Sequence, residues 1–440
     1  MQNPLSILPT RLLPWFARNA RPLPWRQDRR PYHVWLSEIM LQQTRVEAVW
    51  NYYLRFLAAL PTVEDLAAAE EDKLLKLWEG LGYYNRARNL QKCARVIVND
   101  LHGEVPTDYD GWLALPGIGP YTAGAVASIC FDCPVAAVDG NVLRVITRFT
   151  ENAAPIDLQT TKARIKADLE QVYPAGACGT FTQALMELGA CVCTPKSPKC
   201  SLCPLGDVCA ANTSGSQTDF PVKLPKRAKR HQNRTVFFLT CGDRVALSKR
   251  GDKGLLSGLW QLPDTDDFLN EGSAIAYLQN VGLEPLELQK IVHANHVFTH
   301  IHWDMRCYYM TVREAAGRYT WVPLEEVRRD YALPTAYRQF FEGAFYPAIL
   351  ACWNSEEGQR EFAAWQAEQA HLSGKEKQEV PVGELPALLI VCGFWQGASG
   401  RAHPVFVFSP LIRDLQPYFS DTPPAHRSGS VRHTPAGRYR

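Results

Sequence analysis

Four cysteines, Cys193, Cys200, Cys203 and Cys209, stand in a C-x6-C-x2-C-x5-C spacing within a chain of 440 residues. Nothing else in the sequence restricts the fold as strongly, because thiols this close together either converge on a ligand or are merely buried. Zinc sites usually pair two short C-x2-4-C knuckles, and only one such pair is present. A short, irregular, proline-containing loop can instead wrap a cubane, since [4Fe–4S] clusters are held by four cysteine thiolates. Zinc-bound or free thiols remain the alternatives at this level. Cys191 lies just outside the frame, and the rest of the 13 cysteines are scattered as buried residues would be. The start, MQNPLSILPTRLLPWF, has an arginine inside its apolar part and no small-residue cleavage site, so no export is expected. In a reducing compartment cysteines serve as ligands or packing before disulfides.

The cysteine loop divides two unlike patterns. Residues 1–190 read as helices, with i, i+3, i+4 apolar spacing over 34–60, 72–79, 84–99, 121–130, 141–150 and 160–173. Residues 191–212 form the cysteine loop and 213–234 a basic linker. From 235 the pattern turns β-like. TVFFLTC (235–241) and RVALSKR (244–250) flank a Gly242-Asp243 turn, a helix is expected at 273–281, aromatic strands at 291–311 and a helix at 335–343. Residues 235–348 are thus expected to form a separate α+β domain, and 349–440 an extension, partly disordered, whose ELPALLIVCGFW and HPVFVFSP segments could be strands. An apolar content of 46% fits a globular chain, and runs such as Leu388 to Trp395 fall far short of the roughly 20 residues a membrane helix needs.

Net charge is +2, so bulk charge selects no partner, but its distribution is uneven. Residues 221–234 carry six Lys/Arg and no acid, and residues 11–30 carry six Arg against one Asp. Such clusters are what a DNA-contacting face looks like, although solvated surface charge looks the same.

LPGIGPYTAGAV (115–126) is a glycine-punctuated turn leading into a helix. Gly117 and Gly119 are expected to allow φ > 0 there and to leave N–H groups beside a helix N-terminus, where a DNA phosphate fits. Twenty residues beyond Gly119, Asp139 in AAVDGNVLRV is expected to cap another helix. In PYHVWLSEIMLQQT, Glu38 stands on an otherwise apolar helix face. A carboxyl so placed has a raised pKa and can stay protonated as a general acid. Glycosidic cleavage uses such an acid together with a carboxylate near an oxocarbenium-like sugar, and Glu38 and Asp139 supply the pair.

These motifs together resemble the endonuclease III superfamily of base-excision DNA glycosylases, whose signature is a helix-hairpin-helix, a Gly/Pro-rich loop with Asp, and a four-cysteine loop. WLSEIMLQQT, GLGYYNRARNL (80–90) and VDGNV narrow the resemblance to the MutY family of adenine DNA glycosylases, over roughly residues 5–345. The fold implied is multidomain: an all-α helix-hairpin-helix glycosylase domain with an iron–sulfur loop, then an α+β Nudix-like (MutT-like) domain. The activity implied is removal of adenine mispaired with 8-oxoguanine or guanine in double-stranded DNA, by a monomer in the cytoplasm at the nucleoid, with a [4Fe–4S] cluster on Cys193, Cys200, Cys203 and Cys209.

By the family pattern Glu38 protonates adenine and Asp139 stabilises the sugar cation. Tyr121 and Asn141 position sugar, water and Asp139. Arg26 and Trp35 line the adenine pocket, and Gln43 and Tyr83 wedge into the duplex beside the flipped base. Bifunctional relatives carry a hairpin lysine whose amine forms a Schiff base. Tyr121 stands there instead, and a phenol cannot form an imine, so the resemblance implies a monofunctional enzyme using water. A lyase-type pyrimidine glycosylase and a non-catalytic DNA-binding protein are the competing readings. Leu143 departs from the lysine of some relatives.

In the second domain the resemblance implies that Phe298, Thr299 and His300 read 8-oxoguanine, with Thr299 in place of the family's serine. The Nudix box G-x5-E-x7-R-E-x-x-E-E-x-G has no match between 250 and 290, so nucleotide hydrolysis is not expected.

Overall fold

The computed structural model of the chain describes residues 3–225, 228–251, 253–341, 360, 389–396 and 402–409. The helical run expected over 34–60 is two helices. It breaks at Gln42-Gln43-Thr44-Arg45, four polar residues with nothing to bury, where Gln43 takes a left-handed φ of 58°. The helices of the first half are α1 (Leu8–Asn19), α2 (Pro31–Leu41), α3 (Val46–Ala59), α4 (Val63–Ala68), α5 (Glu71–Leu77) and α6 (Asn85–Asn99). Then come α7 (Tyr109–Leu113), α8 (Pro120–Phe131), α9 (Gly140–Thr150), α10 (Gln159–Glu170), α11 (Cys178–Cys191) and the short α12 (Ala210–Ser214). Helix starts follow local chemistry. Thr62 and Asp65 form a capping box on α4, Asp108 caps α7, and Pro120 opens α8 at a position where its missing N–H costs nothing.

The helices enclose two apolar cores. One gathers Trp35, Met40, Phe56, Trp78, Trp112 and Val126; the other gathers Leu8, Leu12, Ile146, Phe181, Leu185 and Leu188. Met186 packs against both. Leu143 is 4% exposed within the second core, so its side chain contributes packing and not a surface contact.

Strands begin at β1 (Arg230–Cys241), followed by β2 (Arg244–Lys249), β3 (Trp260–Gln261) and β4 (Asp264–Thr265). Helix α13 (Glu271–Asn280) precedes the long strands β5 (Pro285–Val297) and β6 (Ile301–Val312), then β7 (Thr320–Pro323) and helix α14 (Leu324–Asp330). Residues 335–341 are helical. The sheet runs β3-β2-β1-β6-β5, with β4 on β1 and β7 on β2. Its β1–β6 pair is parallel and the other pairs are antiparallel, so it is a mixed sheet. Helix α13 covers one face through Ala274 and Leu278 against Phe237 and Tyr308. The turn at 298–300 joins β5 to β6, and Phe298 N–H donates to Ile301 O at 2.8 Å.

Residues 1–338 form one compact unit and 339–440 a second. Most of the extension lies outside the described residues. Within it, β8 (Leu389–Gln396) and β9 (Ala402–Ser409) form an antiparallel hairpin where strands were expected.

Candidate active site

At the seam of the two helical cores lies a cavity of about 480 Å³. Its walls include Glu38 from α2, Tyr121 from α8, Asp139 and Asn141 at the start of α9, and Glu187 from α11, with Leu23, Val34 and Ile129 supplying apolar surface. Burial dominates its electrostatics. Glu38 is 6% exposed, and loss of water pushes its carboxyl up to about 7. The Tyr121 hydroxyl, which donates to Oε2 of Glu38, and the charge of Arg26 pull the other way, while Asp139 adds to the rise. The Tyr121 phenol is itself held well above its ordinary range by burial and by the two carboxylates.

Asp139 caps α9 as its position implied. Its Oδ1 accepts from Val142 N–H at 2.7 Å and its Oδ2 from Asn141 Nδ2 at 2.7 Å. Burial raises its pKa, and these hydrogen bonds offset part of the rise. Asn141 is in turn fixed by Arg144, whose Nη2 donates to Asn141 Oδ1 at 2.8 Å and to Gly189 O at 2.7 Å. Arg144 Nε donates to Cys193 O at 2.7 Å, so one guanidinium joins the neighbour of Asp139 to the cysteine loop. Gly189 allows this approach, since a Cβ there would lie 2.5 Å from the Cβ of Asn141.

Arg26 lines the cavity with its guanidinium on Glu187 at 2.8 Å, and Arg21 binds the same carboxylate at 2.7 Å. Burial alone would raise Glu187, but the two arginines overcome it and hold the group at about 2. Glu187 and Arg21 were not singled out from the sequence. The only signal was a carboxylate inside the apolar stretch FTQALMELGAC.

Trp35 is not among the cavity-lining residues. It is 1% exposed on another side of α2, with its ring 5.8 Å from that of Trp112. A residue three positions from Glu38 is rotated by about one sixth of a turn on a helix, enough to turn a bulky indole into the core. Gly117 has φ +75°, and a Cβ there would meet Asn89 at 2.5 Å. Gly119 departs from the expected positive φ: at −99° it is the extended N-cap of α8, a conformation open to other residues.

Gln43 and Tyr83 lie together beside the β5–β6 turn. Both have left-handed backbones, at φ 58° and 47°, and both line a second cavity of about 670 Å³ with Phe298, Thr299 and His300. The Tyr83 hydroxyl and Thr299 Oγ1 are hydrogen-bonded at 2.8 Å. The Phe298 ring lies edge-on to His296 and Trp303 at 4.6 and 4.8 Å.

Cys193, Cys200, Cys203 and Cys209 line one small cavity with Arg148, which donates to Cys193 Sγ at 3.4 Å. Four thiols around a common space match the four-thiolate donor set that holds a [4Fe–4S] cluster. The donor set therefore fits a [4Fe–4S] cluster, which when bound cross-links the loop.

Comparison with known proteins agrees with this arrangement. Residues 36–174 match the HhH-GPD superfamily of base excision DNA repair proteins, 193–209 the iron-sulfur binding domain of endonuclease III, and 235–343 the NUDIX domain. An adenine DNA glycosylase of Rattus norvegicus is 34% identical, covering 75% of this chain and 76% of that protein. One from Homo sapiens is 33% identical, covering 75% and 72%. A solved thermostable thymine-DNA glycosylase is 31% identical, covering 48% of this chain and 98% of that one, with a TM-score of 0.44. With its helix-hairpin-helix body, iron–sulfur loop and Nudix-like sheet all matched, the chain belongs to the adenine DNA glycosylase family of base-excision repair enzymes.

Proposed function

We propose that the protein hydrolyses the N-glycosidic bond of adenine mispaired with 8-oxoguanine or guanine in double-stranded DNA, acting as a monofunctional glycosylase and as a monomer at the nucleoid. The observation that carries this reading is the pairing of Glu38 and Tyr121 beside Asp139 in one buried cavity. At neutral pH a carboxyl near 7 is protonated in about half of the molecules, so Glu38 can deliver a proton to the leaving base. Tyr121 occupies one carboxyl oxygen and leaves the other for that transfer. Asp139, aimed by Val142 N–H and Asn141, faces the positive charge that develops on the sugar. Arg26 and Glu187 offer donor and acceptor edges to a flipped base, and Gln43 and Tyr83 fill the gap it leaves in the duplex. Phe298, Thr299 and His300 read the opposite base, and the hairpin glycines Gly117 and Gly119 bring backbone to a phosphate.

Monofunctionality rests on Tyr121, which offers no amine for a Schiff base. The test is a strand-nicking assay on an A:8-oxoguanine duplex with and without alkali, run beside borohydride trapping. Adenine release with an alkali-labile product is expected. Efficient covalent trapping by the unaltered protein would refute the reading.

A further inference from the structure

We infer that Arg86 is a positioning residue for base extrusion: one guanidinium that clamps the two loops carrying Gln43 and Tyr83. The inference rests on the reading of those two residues as the duplex wedge.

The loops arise at different places in the chain. Gln43 follows the end of α2, and Tyr83 precedes α6. Each takes a left-handed backbone without being glycine, a conformation that is costly for a residue with a Cβ and persists only where the surroundings impose it. Arg86, in the first turn of α6, lies between them. Its Nη1 donates to Ile39 O at 2.7 Å, Met40 O at 3.0 Å and Gln42 O at 2.7 Å. Its Nη2 donates to Leu81 O at 3.1 Å, Gly82 O at 3.1 Å and Thr44 Oγ1 at 3.4 Å. Each strained residue thus has its preceding carbonyl tied to the same cation.

The chemistry suits this task. Carbonyls at the end of α2 have no partner in the helix and carry the negative end of its dipole. Five of the six contacts are backbone carbonyls and the sixth is a hydroxyl, so no carboxylate competes for the guanidinium. Burial lowers the Arg86 pKa to about 10, which leaves it charged at neutral pH. The rings of Trp78 and Tyr83 lie 5.4 and 5.7 Å from its centre. Only a planar fork reaches both loops together. A lysine ammonium presents three donors from one point and cannot span them.

The experiment places 2-aminopurine opposite 8-oxoguanine and follows its unstacking by stopped-flow fluorescence, with Glu38→Gln throughout to suppress base loss. Arg86→Lys in the full chain should slow extrusion about tenfold or more, as misplacing a positioned group does. In a Gln43→Ala/Tyr83→Ala background the same change should add less than about twofold, because the clamp then has nothing to aim. Normal extrusion in a folded Arg86→Lys protein would overturn the clamp while leaving the wedge intact. An equal slowing in both backgrounds would overturn it too, as a general packing defect. If Gln43→Ala/Tyr83→Ala alone leaves extrusion unchanged, the wedge reading fails and the clamp falls with it. Should Arg86→Lys not fold, Thr44→Val decides: it removes one acceptor and keeps the buried cation. A slowing of about twofold supports the clamp, and an unchanged rate overturns it.

Discussion

The cavity between the helical cores and the turn between β5 and β6 treat polar groups in opposite ways. In the cavity Glu38, Tyr121 and Asp139 are nearly stripped of water, and burial displaces all three pKa values upward. At the turn Thr299 and His300 are exposed, and Phe298 is half-buried between two rings. A proton donor must be desolvated to hold its proton at neutral pH, whereas a reader of a DNA base must stay open to reach it. Glu187 sharpens the point from inside the cavity. Equally buried, it is driven down to about 2 by two arginines, so the partner decides the sign once burial has set the scale.

The largest expected effect falls on the cavity. Glu38→Gln removes the proton but keeps the shape, and should cut single-turnover adenine release by about 10²-fold or more with DNA binding nearly intact. Asp139→Asn should behave likewise. Near-normal release from either variant would break the division between the sites.

A graded test uses pH. Because the Glu38 pKa is raised to about 7, its acid form is half populated there, nearly complete a unit or more below and lost above. Single-turnover base release should therefore fall about tenfold for each pH unit beyond that point. The sheet-domain variant Phe298→Ala/His300→Ala should show the same falling limb, and a limb that moved with it would mean the sites are coupled.

The smallest effect belongs to the turn. Phe298→Ala/His300→Ala should reduce the preference for A:8-oxoguanine over A:G by about tenfold, the scale of one lost base contact of 1–3 kcal/mol. Rates on A:G should change much less. Equal losses on both substrates would show that the turn supports the fold and reads nothing.

Glu38 and Asp139 were legible as candidates because their chemistry is local in sequence. Asp139 announces itself as an N-cap, and Glu38 as a lone carboxylate on an apolar face. The four cysteines were legible for the same reason. What the chain assembles over long separations was not. Arg21 and Glu187 are 166 positions apart, and nothing in either segment names the other. Arg86 sits in a motif whose visible residues are its glycines and tyrosines, while five of its six partners are backbone carbonyls that leave no trace in side-chain identity. Trp35 went the other way. Its motif assigns it to the base pocket, while its buried contact with Trp112 is made across the fold and left no mark in the sequence.

The bond between Tyr83 and Thr299 means that the helical body and the sheet body already touch when DNA arrives. For Tyr83 and Thr299 to contact anything else through these hydroxyls, that bond has to open, at a cost of about 1 kcal/mol, the net worth of one such bond. The hydroxyl pair is thus a latch within the protein itself, which any partner reaching both residues has to replace.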